Sequence, residues 1–244
     1  MRFDPDTWLT GIFGCDVFKA SLEKDEVIDP KKVFSESLLS HHAFCYAKVP
    51  VTSVAQVGAL TMAGFRVIDV NVTFEREPVM SVESSSKIMV RDVLPKDETA
   101  VLDIAESAFV YSRFHLDPFV SKELANRIKR EWIANYVRGQ RGERLLVAEM
   151  DGKPVGFLAL LVTDNAEKTG VIDLIGVEKN MQGRGVGKRL VEFHIRDAYQ
   201  KFARLTVGTQ IANVPSMRLY TKCGYNISNS TYVLHAHVHD GKVI

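Results

Sequence analysis

Apolar residues recur along this chain with two periods, near two and near four, and each change of period marks a new element. Val67 to Phe74 alternates apolar and polar as a strand does. Pro78 and the triplet Ser84-Ser85-Ser86 break the alternation, so residues 78–86 read as a linker. A new pattern starts at Lys87, and Ile88-Met89-Val90 is a short strand. Asp97 is placed to cap a helix that carries Val101, Leu102, Ala105 and Phe109 on one face. Ser121 is placed to cap a second, with Leu124, Ile128, Trp132 and Tyr136 at four-residue spacing.

Leu145 to Met150 and Pro154 to Val162 flank Asp151-Gly152, the strongest short signal for a hairpin. A third strand, Val171 to Val177, follows a polar loop. Then come a glycine-rich turn, a helix from about Gly185 to Lys201, and a strand from Leu205 to Gly208. A short helix from about Pro215 to Lys222 leads into a final pair of strands, Tyr225 to Ile227 and Thr231 to Leu234. The order β-α-α-β-β-β-α-β-α-β-β predicts an α/β domain on a mixed sheet.

Composition narrows the field. The chain has 244 residues, 46% hydrophobic and 25% charged, with a net charge of +1. A core can be buried, and no general attraction to nucleic acid or membrane follows. No apolar run reaches the ~18 residues of a membrane span, and Met1 to Asp6 lacks the apolar stretch of a signal peptide. Cys15, Cys45 and Cys223 have neither metal nor redox spacing, and an odd count argues against a disulfide framework. The cytoplasm is the expected location.

The decisive stretch is Val177 to Lys188, which joins a strand directly to a helix. Glycines let backbone approach a ligand with no Cβ in the way. The first amides of the helix are unpaired and carry the positive end of its dipole. Such a turn suits a pyrophosphate, and Arg184, Lys188 and Arg189 add positive charge. A P-loop needs Gly-Lys-Ser/Thr, whereas Arg189 follows Gly187-Lys188; a dinucleotide fingerprint needs Gly-x-Gly-x-x-Gly, whereas Gly183, Gly185 and Gly187 alternate. What remains is Gln-x-x-Gly-x-Gly at Gln182, Gly185 and Gly187. Alone, this glycine triplet would also suit a purely structural tight turn.

Downstream, Asn213-Val214-Pro215-Ser216-Met217-Arg218-Leu219-Tyr220-Thr221-Lys222-Cys223-Gly224-Tyr225 matches Asn-x-x-Ala/Ser-x-x-Leu-Tyr-x-x-x-Gly-Phe/Tyr. The two motifs, in this order, resemble those of the GNAT (Gcn5-related N-acetyltransferase) superfamily, over about Lys87 to Leu234. The resemblance implies a GNAT fold with a central mixed, mostly antiparallel sheet, and acetyl-CoA as co-substrate with no metal. It implies that Gln182, Gly183, Arg184, Gly185, Val186, Gly187 and Lys188 hold the coenzyme's pyrophosphate. Ile175 and Val177 would offer backbone groups to the pantetheine arm and the thioester oxygen. Asn213 and Ser216 would flank the arm, and Tyr220 would protonate the departing thiolate. Asp173 shares a strand face with Val171, Ile175 and Val177, where some members hold a carboxylate base; a structural hydrogen bond is the plainer alternative.

The acceptor side is expected at Phe109 to Pro118, with Phe109, Ser112, Arg113, Phe114 and His115 as the binding residues. Ala108-Phe109-x-x-Ser112-Arg113-Phe114 and Trp132-Ile133-x-Asn135-x-Val137-Arg138-Gly139 resemble the TDP-fucosamine acetyltransferase family, as do Trp8-x-x-x-x-Phe13-Gly14 and Gly64-Phe65. That likeness implies a nucleotide-linked amino-deoxy sugar, TDP-4-amino-4,6-dideoxyhexose, as acceptor in surface polysaccharide synthesis. This chain departs in a longer Gly170–Glu178 region and a longer tail, which puts the exact sugar in doubt. Another amine (protein N-terminus, antibiotic, small amine) is the alternative acceptor, and a coenzyme A sensor without turnover the alternative of a different class. A homodimer stays open.

Residues 1–77 read as a smaller α/β domain ahead of the catalytic 87–244. Aligning Gly64-Phe65 on Gly224-Tyr225 sets Thr61 on Thr221 and Leu60 on Tyr220, as in a degenerate half-copy of the GNAT fold that lacks the glycine turn and the acid. His235-Ala236-His237-Val238-His239 puts three histidines on one strand face, read as a solvent-facing strand or tail rather than a metal site. His41-His42 reads as helix or loop, Arg127 to Arg130 as the wet face of a helix, and Cys223 as packed.

Overall fold

The computed structural model describes residues 1–40, 42–80, 86–163 and 168–244. The middle of the expected linker and His41 therefore lie outside the described residues. The first part of the chain runs β1 (Arg2–Pro5), α1 (Thr7–Phe13), β2 (Asp16–Ser21), α2 (Glu36–Leu39), β3 (Ala43–Pro50), α3 (Val54–Met62) and β4 (Arg66–Arg76). Next come β5 (Met89–Asp92), α4 (Glu98–Ser107), α5 (Arg113–Leu116), α6 (Lys122–Val137), β6 (Arg144–Met150) and β7 (Lys153–Thr163). The chain continues with β8 (Thr169–Val177), α7 (Val186–Asp197), β9 (Arg204–Gln210), α8 (Val214–Lys222), β10 (Asn226–His239) and β11 (Lys242–Val243).

Local chemistry sets several of these boundaries. Asp151 and Gly152 both take positive φ, 51° and 78°, so the turn between β6 and β7 twists with its strands. The Ser121 hydroxyl accepts from the Leu124 amide and starts α6 as expected. Asp97 differs: its carboxylate pairs with Arg91 and accepts from the Leu94 amide, and it makes no cap bond to α4. The predicted α7 is too long. It ends at Asp197, and Gln200 at φ 64° turns the chain away.

All described strands form one sheet, ordered β1-β2-β3-β10-β4-β9-β8-β7-β6-β5, with β11 pairing β10. Only β2–β3 and β8–β9 pair in parallel, so the sheet is mixed and mostly antiparallel. The expected pair of final strands is a single strand, β10. Between the two expected strands, Asn229 and Ser230 pair with β4 and Ser228 is the extra residue of a bulge.

The sheet crosses residue 77. β4 lies between β10 and β9, and β10 lies between β3 and β4. Val72 and Phe74 of β4 belong to the same buried cluster as Leu190, Ile195 and Tyr220. The order is also symmetric about the β10–β4 pair. An antiparallel pair, a parallel pair, a helix and a returning strand occur once as β1, β2, β3, α3, β4 and again as β7, β8, β9, α8, β10.

Candidate active site

Strands β8 and β9 begin as neighbours and then separate. Their ladder runs from Thr169–Arg204 to Ile172–Val207 and stops there. Beyond it β8 stays with β7 as far as Val177, and β9 stays with β4 as far as Gln210. Each strand follows its outer partner, and a cavity of about 700 Å³ opens in the gap. Of the predicted site residues, all but Arg184 and His115 line it.

The glycine turn forms one end. Gly183 and Gly185 sit at φ 75° and 85°, the left-handed region glycine enters without strain. A Cβ on either would meet nothing within 4 Å, so the backbone there faces open space. Gly185 is the N-cap of α7, and the free amides of the first turn come to the cavity with Val186, Gly187 and Lys188. Gly187 serves packing as well: a Cβ would lie 3.3 Å from Leu219 of α8. The Gln182 side chain donates to the Val177 carbonyl at 3.2 Å and ties the turn to β8. Lys188 pairs with Glu192 at 3.3 Å. Arg184 is exposed outside the cavity, so the charge expected from it stands at the rim. This turn has the room, the donors and the helix end that a coenzyme's pyrophosphate needs.

Helix α8 brings the second motif. The Asn213 side chain accepts from the Ser216 amide at 3.2 Å and starts the helix. One turn on, Tyr220 is 2% exposed and packs against Phe74 and Tyr225. Among the described residues its hydroxyl has no hydrogen-bond partner, and it borders the cavity. Burial holds it well above the ordinary tyrosine range, so it stays a protonated phenol.

Asp173 stands on the cavity face of β8, at a bulge: Ile172 and Leu174 face successive residues of β7, and Asp173 is the extra one. Its Oδ2 accepts from Trp132 Nε1, Tyr136 OH and Arg141 Nε, each at 2.8 Å, and its Oδ1 accepts from Arg141 Nη2 at 3.1 Å. These four bonds fix α6 and Arg141 to the sheet, the structural role that stood as the plainer alternative to a base.

The other end of the cavity is aromatic and cationic. Phe109, Ser112, Arg113 and Phe114 line it as expected. Arg113 lies over the rings of Tyr46 at 3.9 Å and Phe114 at 4.4 Å. Its Nη1 is 3.3 Å from His235 Nε2, and His235 Nδ1 is 2.6 Å from Asp117 Oδ2. Burial pulls His235 down to about 4. The neutral ring then donates from Nδ1 to Asp117 and accepts from Arg113 at Nε2. His237 Nε2 donates to the same carboxylate oxygen at 2.9 Å. The histidine tail is thus no tail: His235 and His237 lie in a strand paired on both sides and meet a buried acid. Asp117, His235 and His237 do gather three ligand-type atoms within 4.8 Å. With the Arg113 guanidinium beside them, they form a hydrogen-bonded support for that arginine.

His115 faces away. Its Nδ1 accepts from the Ser112 hydroxyl at 2.6 Å and its Nε2 donates to Asn126 at 2.9 Å, which docks α5 on α6. The expected wet face at Arg127 to Arg130 holds for exposed Arg127 and half-buried Arg130 but not for Ile128 and Lys129, which are buried. Arg127 donates to the Ile12 carbonyl, and Lys129 is 7% exposed, between the rings of Phe109 at 5.1 Å and Trp132 at 5.0 Å. Lys129 lines the cavity, as do Lys48 of β3 and Asn71 of β4, and sequence reasoning found none of the three. For Lys129 the signal existed. It shares one helical face with Trp132, Ile133 and Tyr136, at i, i+3, i+4 and i+7.

Comparison with known proteins agrees with this geometry. The profile of the acetyltransferase (GNAT) family matches residues 100–225, just over half of the chain. The spore coat polysaccharide biosynthesis protein SpsD of Bacillus subtilis is 32% identical over 142 residues, which cover 58% of this chain and 48% of SpsD. The match thus spans about half the length of that relative. The 5-NmdU N-acetyltransferase of Pseudomonas phage PaMx11 is 28% identical over 144 residues, 59% of this chain and 91% of the phage protein. The crystal structure of a GCN5-related N-acetyltransferase from Sphaerobacter thermophilus superposes with a TM-score of 0.56 at 16% identity, covering 83% of this chain and 62% of that one. It shares the fold.

Proposed function

Because the chain belongs to the GNAT acetyltransferase family, we propose that it moves the acetyl group of acetyl-CoA to the amine of a nucleotide-linked amino-deoxy sugar. The observation that carries this reading is the single cavity that joins the glycine turn to the aromatic, cationic loop, with Tyr220 on its wall. The turn binds a pyrophosphate, the far end suits a ring and an anion, and a buried phenol lies on the path between them. The name of SpsD places that relative in polysaccharide biosynthesis, which favours a sugar over a peptide.

In this reading the glycine turn and the first turn of α7 hold the coenzyme's pyrophosphate, and the arm lies along the unpaired edge of Asp173 to Val177. Backbone amides of that edge face the thioester oxygen and stabilise charge that develops there. The amine nitrogen bonds to the acetyl carbon and the carbon–sulfur bond breaks. The leaving sulfur takes the proton of the Tyr220 hydroxyl, and the proton lost by the amine returns the phenolate to phenol. Asn213 keeps its amide nitrogen for the arm, since its oxygen caps α8. Among the described residues no helix is long and apolar enough to cross a membrane, and the proposed place of work is the cytoplasm.

The test is thiol release from acetyl-CoA with TDP-4-amino-4,6-dideoxy-galactose, its glucose-configured isomer and simple amines as acceptors. The expected result is release with a TDP sugar and little with the amines. Release with simple amines alone would overturn the sugar assignment.

A further inference from the structure

Three cations meet at the acceptor end of the cavity from three separate elements: Lys48 from β3, Arg113 from α5 and Lys129 from α6. Among the described residues neither lysine has a hydrogen bond or an ion pair, and Lys129 is nine-tenths buried between two rings. The carboxylates nearby are committed elsewhere. Asp173 is bound to Arg141; Asp117 reaches Arg113 only through His235, and Asp6 only through Tyr46, whose hydroxyl it accepts at 2.9 Å. Burial and the charge of Arg113 pull the Lys129 ammonium down to about 8. A buried cation without a counter-ion is costly, and only the two ring faces and the charge of Asp173, itself bound to Arg141, offset this one.

The coenzyme does not account for this cluster. Its pyrophosphate belongs at the glycine turn, which begins after Val177. Asp173, whose partner Trp132 packs on Lys129, stands four residues earlier on β8, about 13 Å away at about 3.3 Å per residue. The cationic cluster therefore stands apart from the glycine turn.

We propose that Lys48, Arg113 and Lys129 form a second anion subsite, which holds the diphosphate of the acceptor and makes a phosphate-free amino sugar a poor substrate. The proposal rests on reading the cavity as the transfer site. It gives the first part of the chain a direct role in substrate choice, through Lys48. Arg113 is set by stacking and by His235, so its guanidinium is oriented before any ligand arrives.

The test is calorimetric titration of thymidine 5′-diphosphate and of inorganic pyrophosphate into the full chain saturated with coenzyme A, so that the glycine turn is already filled. Both probes are expected to bind. Lys129→Met and Lys48→Met should each weaken them about tenfold, the loss of one charge-assisted contact, and leave coenzyme A affinity unchanged. Lys129→Met should not lower the unfolding temperature, since it replaces an unpaired buried charge by an apolar chain of similar length. Equal affinity in the wild type and both variants, or no binding to the wild type, would overturn the subsite. Binding as described with no acetylation of any TDP amino sugar would uphold the subsite and sink the sugar reading. Acetylation of phosphate-free amines with no diphosphate binding would do the reverse to the subsite and keep the transferase.

Discussion

Helices α3 and α8 are the same device built twice. Each has nine residues. At the end of α3 the Gly64 amide donates to Thr61 and the Phe65 amide to Leu60; at the end of α8 Gly224 donates to Thr221 and Tyr225 to Tyr220, all within 3.0–3.1 Å. Thr61 and Thr221 each bond the carbonyl four residues back. Phe65 and Tyr225 are both buried. The differences are few. Leu60 stands where Tyr220 stands, and the parallel strands β2 and β3 are joined by a loop and the four-residue α2, with Val33 and Phe34 packed onto Phe65, where β8 and β9 are joined by the glycine turn and α7. The backbone pattern is kept by burial and by turn geometry. What separates the halves chemically is one hydroxyl and one open gap.

The largest effect should come from treating the halves as separable. A chain of residues 78–244 loses the β4 ladder from β9 and the β3 and β4 ladders from β10, and it loses Val72 and Phe74 from its core. It should lack a cooperative urea transition by near-ultraviolet circular dichroism; a sharp transition would show that the shared sheet is dispensable. Next comes the position the two helices share. Tyr220→Phe should lower turnover about 100-fold or more, the usual scale for a proton donor, with the unfolding midpoint nearly unchanged. Leu60→Ala should do the opposite: about 2–5 kcal/mol of stability lost, and turnover per folded molecule within about twofold. If the stability and turnover effects fall together in either variant, the division of labour is wrong.

A smaller effect is expected at Asp173. Asp173→Asn keeps the shape but weakens the hold on Arg141, Trp132 and Tyr136, at about 1–3 kcal/mol. The acceptor KM should rise while the pH–rate profile keeps its form. Loss of the acidic limb would instead assign the base to Asp173. The smallest effect at neutral pH concerns two buried histidines, His194 in α7 and His235 in β10, which burial pulls down to about 4. An unfolded histidine takes its proton near 6.5, so between about 6.5 and 4 the unfolded chain binds more protons than the folded one. Stability should be full above about 6.5 and fall as pH drops toward 4. His194 Nε2 has no partner, whereas His235 is held by Asp117 and Arg113. His194→Leu should flatten this acid slope in thermal unfolding at no cost at pH 7.

What could be read from the residues alone follows from range. The Asp151-Gly152 hairpin, the Ser121 cap and the turn at Gly183 to Gly187 are local, and their backbone chemistry is written in adjacent residues. The place of Tyr220 on the cavity wall is legible because its motif is contiguous. Lys129 was missed because Arg127 and Arg130 on either side suggested a wet face, although its spacing to Trp132 and Tyr136 marks the buried one. Lys48 gave no local sign, and the histidines of β10 showed a shared face but not the buried acid it meets. Their surroundings depend on strands that pair across most of the chain, as Ala43 does with Val238. Asp173 lies on the expected face of β8, but its donors Tyr136 and Arg141 come from a different part of the sequence, so its hydrogen bonds have no local sign.

The insertion of β10 between β3 and β4 sets an order of events during synthesis. Both flanking strands leave the ribosome well over a hundred residues before the strand that joins them, and until it arrives each carries a bare edge able to pair wrongly. The first part of the chain therefore cannot close by itself as it emerges, contrary to the common habit of domains folding one after another. It must wait in a partly assembled form until residues 226–239 are made, which makes a chain that stalls before them a ready client for chaperones.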